Sequence, residues 1–421
     1  MALSLKQAVR KTAMQAMLMR ERLESGHAYN PVAYRNTQDP YPAYAALRER
    51  GQAHRSRLMN AWVFGRYQDV ATILPDWQRF TNDGTKSKRP GKRTVIPDPG
   101  PSPSMLSLDP PDHRRLRGLV SKAFTPRAVN ALEPHIRSLM HELLDGIDDL
   151  SGFDLMEVVA KPLPVIVIAE MLGVPPEDRP RFRGWSDRRA RILEPTISAE
   201  ERADAVLAAD DLDAYFEPIV RERRADPKED ILSGLARAEE EGDRLDEREV
   251  LTMLRLLLVA GNETTVNLIG NGMLALLQHP EQLQRLRDDP SLIPSAVEEL
   301  LRYDSPVQLD LRRIVDDCDV NGFPVKRGED IVVLIGGANR DPEQFEDPDG
   351  LDVGREGASH ISFGRGIHAC IGAPLARLEA RIAIEVLLER FSSIRLSGPP
   401  ARFRPSIVLR GLESLPVAAS A

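Results

Sequence analysis

The sequence predicts a mainly α-helical fold carrying small β-sheets. Helical periodicity of apolar residues dominates residues 112–310, and residues 247–278 run as one long helix. β-Branched runs are few, the clearest being the buried strand Ile331-Val332-Val333-Leu334-Ile335. The regular alternation of strand and helix that builds a doubly wound sheet is missing.

In chain order, residues 6–25 read as a charged amphipathic helix, with Met14, Met17 and Leu18 set among Arg10, Lys11, Arg20 and Glu21. Its apolar face is small, which favours a solvated or loosely docked extension over residues 1–29 rather than membrane association. Pro31, Pro40 and Pro42 punctuate the next stretch, and a short apolar helix follows around residues 44–47. Trp62-Val63-Phe64 with Tyr67 suggests a short strand beside a turn. Residues 82–104, with two glycine-proline clusters (Pro90-Gly91 and Pro97 to Pro103), form a long loop of the kind used as a lid or binding segment. The helical region is broken at Pro126, Pro134, Pro162, Pro175, Pro227 and Pro280, and residues 374–391 return to helix. No internal repeat is visible.

Hydrophobic residues make up 42% and charged residues 29% of 421, as in an ordinary folded chain with a sizeable core. The formal net charge of −8 argues against a dedicated nucleic-acid binder. No apolar run reaches the roughly 18 residues of a membrane span. The opening Met-Ala-Leu-Ser-Leu-Lys lacks the apolar core of a secretory signal, so a cytoplasmic protein is expected. Cys318 and Cys370 are the only cysteines, which excludes disulfide scaffolds, multi-cysteine zinc sites and iron–sulfur clusters. A single cysteine with a chemical task remains open.

The long helix starts at a capping pair, Asp246 and Glu249, and stops at His279-Pro280. Its length corresponds to roughly 48 Å, enough to cross the molecule. Its middle reads Ala260-Gly261-Asn262-Glu263-Thr264-Thr265. A mid-helix glycine costs about 1 kcal/mol against alanine, and a buried glutamate needs a partner. Two readings stand on these residues alone. One is a widened groove in which a carboxylate and an alcohol deliver protons to something bound alongside. The other is a packing glycine beside an exposed glutamate.

Residues 361–373 read Ile-Ser-Phe-Gly-Arg-Gly-Ile-His-Ala-Cys-Ile-Gly-Ala, with Gly364, Gly366 and Gly372 around Cys370. A helix follows directly, with Pro374 in its first turn. Cys370 thus lies at a helix N-terminus, where the dipole favours a thiolate. Such a thiolate is a nucleophile or a metal ligand; a buried structural cysteine is the third reading. His368 is the nearby base, but in a turn its ring is poorly placed to reach the sulfur. A metal needing one protein donor, such as haem with an axial thiolate, fits the absence of a second cysteine. Cys318, within Asp316-Asp317-Cys318-Asp319, is too acidic in its surroundings for a thiolate and reads as a passive residue near a hairpin.

With Phe363, Gly366, His368, Cys370 and Gly372, the loop resembles the haem-binding signature F-x-x-G-x-[HR]-x-C-x-G of the cytochrome P450 family, in its soluble bacterial form. The Ala260–Thr265 cluster resembles that family's oxygen-activation motif, and Glu299-Leu300-Leu301-Arg302 its E-x-x-R motif. Residues 109–117, Leu311-Arg312-Arg313 and residues 338–342 are also similar to the family. The likeness spans residues 30–417 and implies one cytochrome P450 domain over 30–421, with haem between the long central helix and the cysteine-loop helix. Glu263 stands where many members have aspartate; the carboxylate is kept.

The resemblance implies haem b with Cys370 as the thiolate ligand of its iron. Phe363, Gly364 and Gly372 would lie against the haem from the cysteine side and Ala260 from the other. His113, Arg117, Arg312 and His368 would meet the haem propionates, while the neighbouring Arg313 reads as solvated. Glu263 and Thr264 would relay the protons of oxygen activation. Glu299 and Arg302, one turn apart, would form a structural pair. A substrate pocket is expected from the 82–108 loop, the helices of residues 175–220, and residues 257–264, 307–311 and 407–409, with Leu257, Gly261, Gln308, Asp310 and Val408 as contacts.

The implied activity is insertion of one oxygen atom of O2 into a small, largely apolar organic substrate. No flavin, nicotinamide or ferredoxin segment is present. Electrons from NAD(P)H would therefore arrive through a separate ferredoxin and ferredoxin reductase. A basic patch of Arg114, Arg115, Lys122, Arg365 and Arg377 would receive the acidic ferredoxin. The rivals are a peroxide-using or non-oxygenating haem-thiolate enzyme, a haem sensor and a haem-free cysteine hydrolase.

Overall fold

The structure, a computed structural model, describes residues 5–88, 103–121, 124–194, 196–228, 231–237, 239–240, 243–357 and 359–421. Helices α1 (Leu5–Ser25), α2 (Tyr34–Gln38), α3 (Tyr41–Arg50) and α4 (Tyr67–Ile73) open the chain. The helical body consists of α5 (Asp112–Ser121), α6 (Pro126–Asn130), α7 (Glu133–Asp145), α8 (Pro162–Met171), α9 (Arg179–Ala190), α10 (Ala199–Ala225) and α11 (Ile231–Arg237). It continues through α12 (Glu247–Gln278), α13 (Pro280–Asp288) and α14 (Ile293–Tyr303), and closes with the short α15 (Ile335–Ala338) and α16 (Ala373–Arg390).

The long helix has the bounds its caps predict. The Asp246 carboxylate accepts from Glu249 N at 2.8 Å, and Asp246 N donates to the Glu249 carboxylate at 3.0 Å. From Val250 onward most of α12 is buried, against α8, α9, α10, α14 and α16, so it is the axis of the main hydrophobic core. Four of the prolines read as breaks occupy the first turn of a helix: Pro126, Pro134, Pro162 and Pro280. There the missing N–H has no partner to lose. Pro218, by contrast, lies inside α10, which runs on through it.

The strands are β1 (Ala53–Ser56), β2 (Ala61–Phe64), β3 (Phe80–Thr81), β4 (Phe153–Asp154), β5 (Glu239–Glu240), β6 (Asp243–Arg244), β7 (Leu309–Ile314), β8 (Cys318–Val320), β9 (Phe323–Val325), β10 (Asp330–Leu334), β11 (Ser393–Leu396), β12 (Arg402–Phe403), β13 (Leu412–Ser414) and β14 (Pro416–Ser420). The largest sheet has the order β1-β2-β10-β7-β3, with β10 parallel to β2 and antiparallel to β7. Every residue of β10 is buried, which explains its unbroken apolar run. Cys318 lies in the β8–β9 hairpin, and β4 joins the C-terminal strands β14 and β11.

Three expectations are corrected. The helical region ends at Tyr303 rather than 310, because Leu309 already pairs in β7. Ile335 leaves the strand and begins α15. Helix α1 is not loosely docked. Its Glu21 side chain is fully buried, accepting from Tyr29 N and His54 Nε2 at 2.7 Å each and from Arg57 N at 2.6 Å. One satisfied carboxylate replaces the broad apolar face that the sequence lacks, and Met19 and Leu23 stay exposed. Among the described residues no helix is long and apolar enough to cross a membrane.

Candidate active site

The cysteine loop is built by glycines and fastened by side chains from elsewhere. Gly364 and Gly366 have φ of 67° and 72°, the left-handed region that glycine enters without strain. A Cβ on Gly366 would lie 2.4 Å from Pro75 Cα, so the loop backbone packs directly against the chain after α4. Asn339 ties the loop's start to α14's end: Ile361 N donates to Asn339 Oδ1 at 2.9 Å, and Asn339 Nδ2 donates to Ser362 Oγ and Ser305 Oγ. Cys370 N closes the turn onto Phe363 O at 2.8 Å.

Cys370 keeps accessible surface although protein surrounds it on most sides. Burial pushes its thiol up. Backbone N–H groups of Gly372 and Ala373, at the start of α16, and the cations of Arg117 and Arg377 act the other way. The helix-terminus effect expected from the sequence is thus present but outweighed by desolvation. Gly372 has an ordinary φ of −81° and is the N-cap of α16.

Four basic groups converge beside this loop. The His113 and His368 rings stand edge to face with centroids 4.5 Å apart. Burial pushes the His368 imidazole down to about 3, with Arg312, His113 and Arg117 adding repulsion. Burial also lowers His113 and Arg117. His368 Nε2 is buried and has no hydrogen-bond partner among the described residues. Arg312 donates to Asp310 at 2.7 Å. Two arginines and two histidines, with Asp310 on Arg312 and Asp109 near His113 as the carboxylates beside them, and an orphaned imidazole nitrogen, suit a dianionic group such as two propionates.

Helix α12 carries an accessible strip of its own. Within its largely buried middle, Ala260 is exposed and Thr264 half-exposed. Thr264 Oγ donates to Ala260 O at 2.8 Å, the back-bond expected of a mid-helix threonine. A single accessible sulfur, an accessible strip of small side chains and a cationic rim together fit haem. Among the described residues no group of three or more His, Cys, Asp or Glu is placed to hold a metal ion, so Cys370 would be the only protein donor.

Glu263 points elsewhere. Its carboxylate accepts from Arg404 Nη2 at 2.8 Å, and the same nitrogen donates to Asn267 Oδ1 at 2.6 Å. A Cβ on Gly411 would lie 1.8 Å from Asn267 Oδ1 and 2.7 Å from Arg404 Nη2, so this glycine makes room for the pair. Glu263 and Asn262 line a cavity of about 410 Å³ with Asp187, Glu194, Arg404 and Val408. Burial, and then the charge of Glu263, raise the Asp187 carboxyl. Arg404 and Asp187 belong to no motif, and sequence reasoning did not find them.

The expected substrate contacts disperse. A Cβ on Gly261 would meet Ile168 of α8 at 3.2 Å, making it a packing glycine. Leu257 is buried. Gln308 is buried with its amide donating to Ser305 O at 2.7 Å, and Asp310 is engaged by Arg312. Val408 N lies 3.3 Å from the Glu194 carboxylate, which also receives Ser406 Oγ at 2.6 Å and Ile407 N at 2.9 Å. This contact links the segment after α9 to the 406–408 turn. Residues 89–102, most of the expected loop, lie outside the described residues.

Two buried arginines hold the scaffold. Arg302 donates to both oxygens of Glu299 at 2.7 and 2.8 Å, and to the carbonyls of Asn339, Pro348 and Gly350. Arg313 is not solvated, as expected above, but fully buried. It pairs with Asp330 at 2.8 Å and donates to Gly84 O, so it anchors the chain leading into the 82–108 loop. In the expected basic patch, Arg114 is exposed, Arg115 pairs with Glu249, Arg365 donates to the Tyr67 hydroxyl and Arg377 pairs with Glu298. Lys122 lies outside the described residues.

The family model for Cytochrome P450 matches residues 190–413. Cytochrome P450 107B1 of Saccharopolyspora erythraea is 44% identical over 398 residues, covering 90% of this chain and 95% of the relative. The cytochrome P450 monooxygenase PikC of Streptomyces venezuelae is 42% identical over 388 residues, covering 90% and 91%. Vitamin D(3) 25-hydroxylase of Pseudonocardia autotrophica is 42% identical over 386 residues, covering 90% and 94%. Among solved structures, the Bacillus subtilis 168 bacillaene polyketide synthase cytochrome P450 PksS superposes with a TM-score of 0.86 at 41% identity, covering 93% of this chain and all of that one. With a cysteine loop, cationic rim and central helix of this geometry, and relatives this close along nearly its whole length, the chain belongs to the cytochrome P450 family and is a monooxygenase.

Proposed function

We propose that the protein inserts one oxygen atom of O2 into a largely apolar organic molecule, using haem b ligated by Cys370, in the cytoplasm. The observation that carries this reading is the accessible Cys370 beside the cluster of His113, Arg117, Arg312 and His368. Haem with an axial thiolate supplies electron density that favours O–O cleavage. The chain's own residues do the rest. Arg117 and Arg312 would bind the propionates by charge and His113 and His368 by ring N–H donation. Phe363 would pack beside the cysteine and Ala260 would leave space on the other face.

Thr264 and Glu263 would carry protons inward. Thr264 presents its hydroxyl on the accessible strip, while Glu263 faces the cavity with Asp187 and Arg404. Transfer between them requires the carboxylate to leave Arg404, or water to span the gap. Thr264→Ala should therefore uncouple NAD(P)H consumption from product, with substrate affinity largely kept. Unchanged coupling would remove Thr264 from the relay.

Electrons would come from NAD(P)H through a ferredoxin reductase and a ferredoxin. Arg114 is an exposed member of the expected patch, and reversing its charge should slow ferredoxin-supported turnover and flatten its salt dependence. For substrate class, the polyketide synthase cytochrome P450 PksS and the vitamin D(3) 25-hydroxylase point to polyketides and sterol-like molecules. Screening both classes for a low-to-high spin shift of the holoenzyme tests this; silence across both would exclude them.

A further inference from the structure

Helix α14 carries two adjacent glutamates that face different ways. Glu299 turns inward to Arg302 and Arg355. Glu298 turns toward α16, where its two oxygens accept from Arg377 Nε at 2.6 Å and Nη2 at 2.9 Å. His360 Nε2 lies 3.1 Å from the same carboxylate. Burial alone would raise the Glu298 carboxyl, but hydrogen bonds from Arg377 and His360 bring it down to about 2. The pair is therefore ionic at any working pH.

Arg377 does more than answer Glu298. Its guanidinium carbon lies 4.5 Å from the centroid of the Phe363 ring, a cation–π contact. The carbonyl of Phe363 in turn accepts from Cys370 N at 2.8 Å. The contacts form a series: the Glu298 carboxylate, the Arg377 guanidinium, the Phe363 ring, and then the Phe363 carbonyl on Cys370 N. The field of Arg377 favours charge on the Cys370 sulfur, and the sulfur favours charge on Arg377.

We propose that the Glu298–Arg377 pair sets the electron-donor strength of the Cys370 sulfur, and with it the reduction potential of the haem iron, by holding a partly neutralised cation against Phe363. The inference rests on Cys370 being the iron ligand. A cation beside a thiolate stabilises the electron-richer ferrous form, so it raises the potential; the carboxylate of Glu298 partly cancels it. Arg377 and Glu298 are positioning residues, since neither touches the reacting atoms. Their side chains are 41% and 31% exposed, so solvent screens the effect without abolishing it.

The test is a dye-equilibrated spectroscopic redox titration of holoenzyme without substrate, for wild type, Arg377→Gln, Arg377→Lys and Glu298→Gln. Removing the cation in Arg377→Gln should lower the midpoint potential. Removing the anion in the near-isosteric Glu298→Gln should raise it, and Arg377→Lys should stay near wild type. Shifts of the two glutamine variants in the same direction, or no shift in either, would overturn the proposal, because a purely structural pair moves both alike. The reduced carbon monoxide spectrum of each variant is read alongside. Thiolate-type bands with unshifted potentials refute the tuning role alone, whereas loss of that band in wild type refutes the ligand assignment beneath it.

Discussion

Glu263 and Thr264 are neighbours in sequence, yet the Glu263 carboxylate is bound to Arg404 at 2.8 Å while the Thr264 hydroxyl turns back to Ala260 O. The two halves of the expected relay thus lie on different faces of α12. Arg404 is the counter-ion that allows a carboxylate to be buried in the middle of this helix.

Arg404→Ala should leave Glu263 and Asn267 with unmet hydrogen-bonding capacity and lower stability by about 1–3 kcal/mol. Arg404→Lys should recover part of it. Urea unfolding of the holoenzyme measures both. Equal stability of all three proteins would mean that the pair does not support the buried carboxylate.

The Glu299–Arg302 pair is fully buried, and each partner has further hydrogen bonds around it. Removing one partner strands the other, so Glu299→Ala should cost about 3–5 kcal/mol and depress haem incorporation. Haem-to-protein absorbance after purification, with thermal unfolding, checks this. Haem content at wild-type levels would show the pair dispensable to the cysteine loop.

Gly366 has both a positive φ and Pro75 Cα within 2.4 Å of any Cβ. Gly366→Ala should displace the loop and reduce haem retention several-fold. Gly372→Ala, where φ is ordinary and a Cβ would sit 3.9 Å from Cys370 Sγ, should be milder. The reverse ranking would contradict the backbone reading.

Glu379 of α16 is buried with neither carboxylate oxygen partnered among the described residues, and burial raises its carboxyl well above the usual range. A raised folded-state value means the unfolded chain ionises first as pH rises. Stability is then lost above the unfolded value of about 4.5. Glu379→Gln should remove that loss, so its advantage over wild type grows as pH rises above the unfolded value. A pH-independent difference in urea midpoints would refute this.

The parts legible in the sequence are those with local causes. Helix α12 has its bounds written in Asp246, Glu249 and Pro280, and the cysteine loop is marked by Gly364 and Gly366, whose backbone demands glycine. What escaped depends on distant partners. Arg404 meets Glu263 across 141 positions, and Arg313 looked like a surface residue until Asp330 and Gly84 enclosed it. Gly261 faces α8 rather than a ligand because helix packing, not the local pattern, decides which side of α12 is accessible. The first-turn prolines read as breaks because proline marks a boundary without saying on which side the helix lies.

The claim beneath all of this is that Cys370 ligates haem iron as a thiolate. The direct measurement is the absorbance spectrum of purified, reduced protein exposed to carbon monoxide, beside a Cys370→Ser variant. The account predicts the red-shifted Soret band of thiolate-ligated haem in wild type and its absence in the variant. A wild-type band at the position of histidine-ligated haem, or a variant indistinguishable from wild type, would contradict it.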